Sequence, residues 1–217
     1  MSDMYYLDLF FVKGGLIGIL IWILSIISLA LIVRSFLKIR REKLFPGEVL
    51  EEVKSRFEEK QYKKAIRSLS EREDFFSILV KETFSRVRGG RRNMERKLMD
   101  VAEHKTSELT RSVEWLNVIG NVSPMLGLLG TVWGMIGAFF EIVASGSPDP
   151  RLLANDIGVA LVTTLLGLAV AIPSLCVYAA MSNRIEDITN DAILAVDELI
   201  ASTHQASRRT TEGSKKG

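Results

Sequence analysis

The sequence predicts an all-α membrane protein in which three transmembrane helices carry long helical extensions outside the bilayer. Three observations predict it. Residues 14–33, 118–140 and 157–181 are apolar runs without a charge, each roughly the 20 to 25 residues needed to cross about 30 Å of hydrocarbon. Between the first and second runs lies a charged segment whose apolar residues recur at helical spacing. The second and third runs carry small residues at steps of four, three, four, three and four. The averages say less: 217 residues, 47% of them hydrophobic, with a formal charge of +2, fit a globular protein equally well.

Residues 1–13 form an outward-facing amino terminus and residues 14–33 the first span. This run reads as an anchor rather than a cleaved signal. Asp3 and Asp8 precede it against a single Lys13, its apolar stretch is too long, and a basic stop follows instead of a small-residue cleavage site. Lysine and arginine near the span ends set the orientation. Arg34, Lys38, Arg40, Arg41 and Lys43 follow the first span; Arg184, then Arg208, Arg209, Lys215 and Lys216, follow the third. The connection between the second and third spans offers only Arg151. Residues 34–117 are therefore expected in the cytoplasm as a helical domain. The second span covers 118–144, an outer loop 145–156 and the third span 157–181. A cytoplasmic helix and tail cover 182–217.

Within the cytoplasmic domain, Leu44-Phe45-Pro46-Gly47 is a turn, with Pro46 suited to a first helical position. Val49, Leu50, Val53 and Phe57 then recur on one helix face, continued by Tyr62, Ala65, Ile66 and Leu69. Another helix starts at Phe75-Phe76 and closes at the Gly89-Gly90 breaker. A last one runs from about Arg91 into the second span, with Leu98, Val101, Leu109, Val113 and Leu116 as its apolar stripe. After the third span, Ile185, Ile188, Ile193, Val196, Leu199 and Ile200 carry an amphipathic helix onward. The Ser/Thr/Lys/Gly tail from about Ser202 has the composition of a disordered segment.

Several functions are disfavoured. Cys176 stands alone, so no disulfide framework exists, and His104 and His204 are far apart without ligand-like neighbours, so no metal or cofactor is expected. The basic stretch 88–97 lacks the interleaved aromatics of a nucleic-acid surface. No nucleophile, base and electrophile set converges, so the chain is not read as an enzyme.

The spans themselves hold the informative residues. Gly120, Pro124, Gly127, Thr131, Gly134 and Ala138 form one stripe on the second span. Ala160, Thr164, Gly167, Ala171, Ser174 and Tyr178 form its counterpart on the third. In lipid no hydrophobic drive joins helices, and small residues let backbones approach for van der Waals contact instead; these are packing faces. Pro124 and Pro173 are tolerable where neighbours satisfy the freed carbonyls. Thr131, Thr163 and Thr164 sit near mid-membrane. Such a hydroxyl either bonds back to its own helix or lines a narrow hydrated path, where it passes a proton without holding the charge. A proton path needs a carboxylate or histidine as a station. None lies at mid-depth, since Glu141 is at the outer end, so a station would come from another chain.

Gly127-Leu-Leu-Gly130-Thr131-Val-Trp133-Gly134-Met resembles the second-span motif of the MotA/TolQ/ExbB proton channel family, on the ExbB/TolQ-like branch. Val162-Thr163-Thr164-Leu-Leu-Gly167-Leu-Ala-Val-Ala171-Ile-Pro173 resembles its third-span motif. The resemblance is strongest over residues 114–184. It implies a subunit of the bacterial inner membrane, amino terminus periplasmic and carboxyl terminus cytoplasmic, that forms a homo-oligomeric ring, typically a pentamer. It further implies an ExbD/TolR-like single-span partner with an intramembrane Asp, and a TonB-like or TolA-like protein beyond it. Thr131 and Thr164 match the family's pore threonines. One departure stands out: ExbB proteins usually carry a Glu five residues before the threonine matched by Thr164, and here that place is Val159.

The reading is thus a proton-driven motor subunit powering TonB-type import or Tol-type envelope work. A MotA-like stator subunit is the nearest alternative, although that branch usually has four spans. A passive helical scaffold is the other; proton flux separates it from the motor.

Overall fold

A computed structural model describes residues 15–85, 90–145 and 150–213. Among them are seven helices and no strand: α1 (Gly15–Lys38), α2 (Arg41–Leu44), α3 (Gly47–Glu58), α4 (Tyr62–Ser68), α5 (Phe75–Ser85), α6 (Gly90–Ser145) and α7 (Pro150–Gly213). Three of them, α1, α6 and α7, are long and apolar enough to cross a membrane. The chain divides into two compact units, one built from the stretch up to Ser35 with Val113–Ala180, the other from Phe36–Ser112 with Met181–Gly217.

The first unit packs polar atoms inward and apolar atoms outward. Ser28, Ser123, Thr163 and Ser174 are all buried, while Leu16, Ile26, Leu128, Phe140, Leu161 and Ile172 are each more than 60% exposed. That inversion suits a hydrocarbon solvent, where outward side chains meet lipid tails and hydroxyls find partners inside. A small apolar cluster of Ile21, Ile119 and Val170, with Ile17, Leu24, Leu126 and Leu166 against it, joins α1 to α6 and α7. Leu126 thus faces a neighbouring helix.

The second unit has a water-soluble arrangement. Val49, Val53 and Phe57 of α3, Phe76, Leu79 and Val80 of α5, and Ile185, Val196 and Ile200 of α7 are buried. Ring pairs Phe45–Phe76, Phe57–Tyr62 and Phe57–Phe84 lie 5.0 to 5.3 Å apart at tilted or edge-on angles, geometries the aromatic quadrupole favours. Asp74 caps α5: its carboxylate accepts from the Ser77 main-chain N–H at 2.9 Å and from the Ser77 hydroxyl at 2.8 Å. At the end of α3, Lys60 takes a positive φ of 59°. There the Gln61 N–H reaches the Arg56 carbonyl and the Lys60 N–H the Phe57 carbonyl, which closes the helix.

Two expectations change, for the tail and for Pro46. The tail from Ser202 is helical through Gly213 rather than disordered, because a helix already nucleated extends at little cost per residue. Helix α6 reaches Ser145 and α7 starts at Pro150, so helical structure continues into both ends of the expected outer connection. Pro46 sits just before α3 as its cap, not in its first turn. Gly90 has φ +58 at the start of α6, which fits the expected break. Lys13, Gly89, Lys215 and Lys216 lie outside the described residues, as do the side chains of Arg151, Arg208 and Arg209.

Candidate functional site

In the first unit, α6 and α7 meet along a seam of small residues. A Cβ added to Gly127 would lie 2.9 Å from the Thr163 carbonyl oxygen and 2.9 Å from the Thr164 Cα. One added to Gly167 would lie 2.5 Å from the Ser123 carbonyl oxygen, and one on Gly134 would lie 3.1 Å from the Ala160 Cβ. Gly120 faces Leu175, whose side chain is a flexible neighbour. Ala138, Ala160, Ala171 and Ser174 are buried, and Pro124 is half-buried. The two stripes of small residues are thus brought together, backbone to backbone, at Gly127 and Gly167.

The hydroxyls are placed differently from one another. The Thr164 hydroxyl crosses the seam and donates to the Gly127 carbonyl at 3.1 Å. The Thr163 hydroxyl is 2% exposed and donates to the Ala160 carbonyl at 2.7 Å, with the Gly127 carbonyl 3.3 Å away. The Thr131 hydroxyl donates back to the Leu128 carbonyl at 2.7 Å. Thr131 and Thr164 keep partial exposure, whereas Thr163 is buried at the contact.

Three participants escaped the sequence reading. Gly130 packs against the Thr163 side chain, with its would-be Cβ 2.8 Å from the Thr163 Cβ. Ser123 is buried and donates to the Ile119 carbonyl at 2.7 Å. Ser28 of α1 and Ser174 of α7 place their Oγ atoms 2.7 Å apart, both buried. Since the Ser174 proton goes to the Val170 carbonyl at 2.7 Å, Ser28 is the donor and Ser174 the acceptor. This ties the first span to the third.

Val159 lines a groove of about 450 Å³ together with Leu16 and Leu20 of α1, Gly130 and Trp133 of α6, and Thr163. Its walls are almost wholly apolar, so a valine fits where a carboxylate would be buried without a cation. Between Ser123 and Ala138 on α6, and between Ala160 and Ser174 on α7, there is no titratable side chain. The described residues contain no group of three His, Cys, Asp or Glu placed to hold a metal ion.

The model of the MotA/TolQ/ExbB proton channel family matches residues 49–192. A biopolymer transport ExbB homolog of Methanothermobacter thermautotrophicus is 36% identical over 124 residues, 57% of this chain and 43% of its own length. The Tol-Pal system protein TolQ of Haemophilus influenzae is 33% identical over 108 residues, 49% of this chain and 47% of its own. The biopolymer transport protein ExbB of Xanthomonas campestris pv. campestris is 36% identical over 85 residues, 39% of this chain and 34% of its own. The matched stretch thus spans less than half the length of each of these relatives.

Proposed function

The chain belongs to the MotA/TolQ/ExbB proton channel family, a family of channels rather than enzymes, and from that premise we propose that it is an inner-membrane motor subunit of the ExbB/TolQ kind. In this reading five copies form a ring around an ExbD/TolR-like partner whose intramembrane Asp carries the proton. The movement drives TonB-type import or Tol-type envelope work. The amino terminus is periplasmic, and residues 34–117 and the carboxyl terminus are cytoplasmic. Thr131 and Thr164 are the hydroxyls that meet the partner's Asp, while Thr163 and the glycine seam hold α6 and α7 in register.

The observation that carries the reading is the seam itself. It joins two motif-bearing helices within the family match, keeps Thr131 and Thr164 partly exposed, and offers no titratable group at mid-depth. A proton moving down about 100 mV releases about 2.3 kcal/mol, so a machine of this kind passes several per mechanical step.

The test is proton flux into liposomes that hold the chain with its Asp-bearing partner, under an imposed potential. Thr131→Val and Thr164→Val are expected to abolish flux with the complex mass unchanged, and the Thr→Ser pair to retain it. Wild-type flux in the Thr131→Val, Thr164→Val double variant overturns the assignment of these hydroxyls.

A further inference from the structure

The second span carries a polar feature beside the seam, toward the amino-terminal end of the span. Glu114, Asn117, Asn121 and Thr131 fall within about 100° of arc on α6, and Leu128 lies among them. Thr131 to Asn121 is about 15 Å along the axis, and Asn121 to Glu114 about 10 Å more. Glu114 and Asn121 are exposed and Asn117 half-buried.

Their hydrogen bonds all run one way. The Asn121 side-chain amide donates to the Asn117 Oδ1 and to its main-chain carbonyl, each at 2.8 Å. The Asn117 amide donates to Glu114 Oε1 at 3.1 Å. From α7, the Tyr178 hydroxyl donates to Glu114 Oε2 at 3.4 Å. Both carboxylate oxygens are therefore oriented by neutral donors, from two different helices. A carboxylate held this way takes up a proton without breaking an ion pair. Exposed amides at the mouth of a span are costly against lipid, so this face belongs against water.

We propose that this ladder is the inner leg of a proton path. Asn121 and Asn117 order water below Thr131, and Glu114 receives the proton and releases it to cytoplasmic buffer, with Tyr178 fixing its carboxylate. An O–H bond forms on Glu114 as one breaks in the water chain, and it breaks again to a buffer base. This rests on the proposed path through Thr131 and Thr164 and on the orientation proposed with it.

The experiment uses the full chain with its Asp-bearing partner in liposomes under an imposed potential, with imidazole varied on the face bearing residues 34–117. At low buffer, Glu114→Gln is expected to lose flux about a hundredfold, the lower end for removing a positioned proton acceptor. Imidazole on that face should restore most of it. Glu114→Ala, which leaves a gap imidazole can enter, decides the matter if the glutamine variant does not assemble. Tyr178→Phe should lower flux by less than Glu114→Gln does and be rescued in the same way. Loss in the Thr131→Val, Thr164→Val variant should be indifferent to imidazole, which separates the two halves of the path. Unchanged flux in Glu114→Gln, or a loss that imidazole does not restore, overturns the proposal and leaves the threonine path standing. Absence of flux in the unaltered complex overturns both.

Discussion

Gly167→Ala tests the seam at its tightest point. The added Cβ would lie 2.5 Å from the Ser123 carbonyl oxygen, 3.2 Å from the Gly127 Cα and 3.3 Å from the Gly127 nitrogen. All three are main-chain atoms, so no rotamer change relieves the clash. Restoring an ordinary contact requires α6 and α7 to part by about 0.8 Å, a gap that forfeits a quarter to a half of the dispersion well along the seam. Overpacking of this kind costs about 1–3 kcal/mol. The better helix propensity of alanine returns up to about 1 kcal/mol, leaving a net loss of up to about 2 kcal/mol; relative to Gly158→Ala, which has the same propensity gain and no clash, the full deficit of about 1–3 kcal/mol remains. The same parting would stretch the Thr164 to Gly127 hydrogen bond from 3.1 Å beyond useful range. The assay is unfolding of the purified chain by SDS in mixed micelles, followed by fluorescence of its three tryptophans. Gly158→Ala is the control, because a Cβ there meets nothing within 4 Å of the chain. If Gly167→Ala proves as stable as Gly158→Ala, the two backbones are not in contact and the seam has been misread.

Ser28→Ala and Ser174→Ala should each destabilise the chain, and their double-mutant cycle should show a coupling of about 0.6 kcal/mol, at most about 1.7; additive effects would mean that the 2.7 Å pair contributes nothing. In a Cys176→Ala background, Ser70→Cys and Ser147→Cys should react with an impermeant thiol reagent from opposite faces of spheroplasts, and equal labelling refutes the proposed topology. Glu108 titrates below the usual carboxylate range, first because Lys105 donates to it at 2.8 Å, with the charges of Lys105, His104 and Lys38 adding. With its folded value depressed, its contribution is present above the unfolded carboxylate value and is lost as pH falls through the folded one. Lys105→Met should move the Glu108 titration upward in an NMR experiment and shrink that acid sensitivity; an unmoved titration refutes the pairing.

What was legible in the sequence was periodic. The alternating steps from Gly120 to Ala138 and from Ala160 to Ser174 identify the faces that meet, because a helix repeats every 3.6 residues whatever surrounds it. Gly130 escaped because it lies one step off that stripe. Where backbones approach this closely, positions three apart on one helix, such as Gly127 and Gly130, both touch the same turn of the other. The Ser28–Ser174 pair escaped because its members are 146 residues apart, and Ser28 sits among isoleucines and leucines with no local mark of a partner. The start of α7 at Pro150 had a readable signal, since proline is suited to a first helical position. The helical tail had none, since its composition alone points to disorder and only continuation of the helix before it explains the outcome.

The directions of the hydroxyl protons bear on how the proposed path would work. Ser123, Thr131, Thr163, Thr164 and Ser174 each donate to a main-chain carbonyl. Each oxygen therefore presents only lone pairs to its surroundings, which suits a protonated carboxyl group as the visitor. Once that group has given up its proton, a hydroxyl must turn and donate to the carboxylate. It exchanges a hydrogen bond worth about 0.6 kcal/mol in a membrane for a charge-assisted one about twice as strong, so the turn is favourable. Thr131 and Thr164 are partly exposed and can make it, whereas Thr163, at 2% exposure, keeps its proton between the Ala160 and Gly127 carbonyls. Under the proposed reading the two exposed threonines accept while the partner's carboxyl is protonated and donate once it is ionised. Valine fills the same space and does neither, whereas serine keeps the hydroxyl that does both.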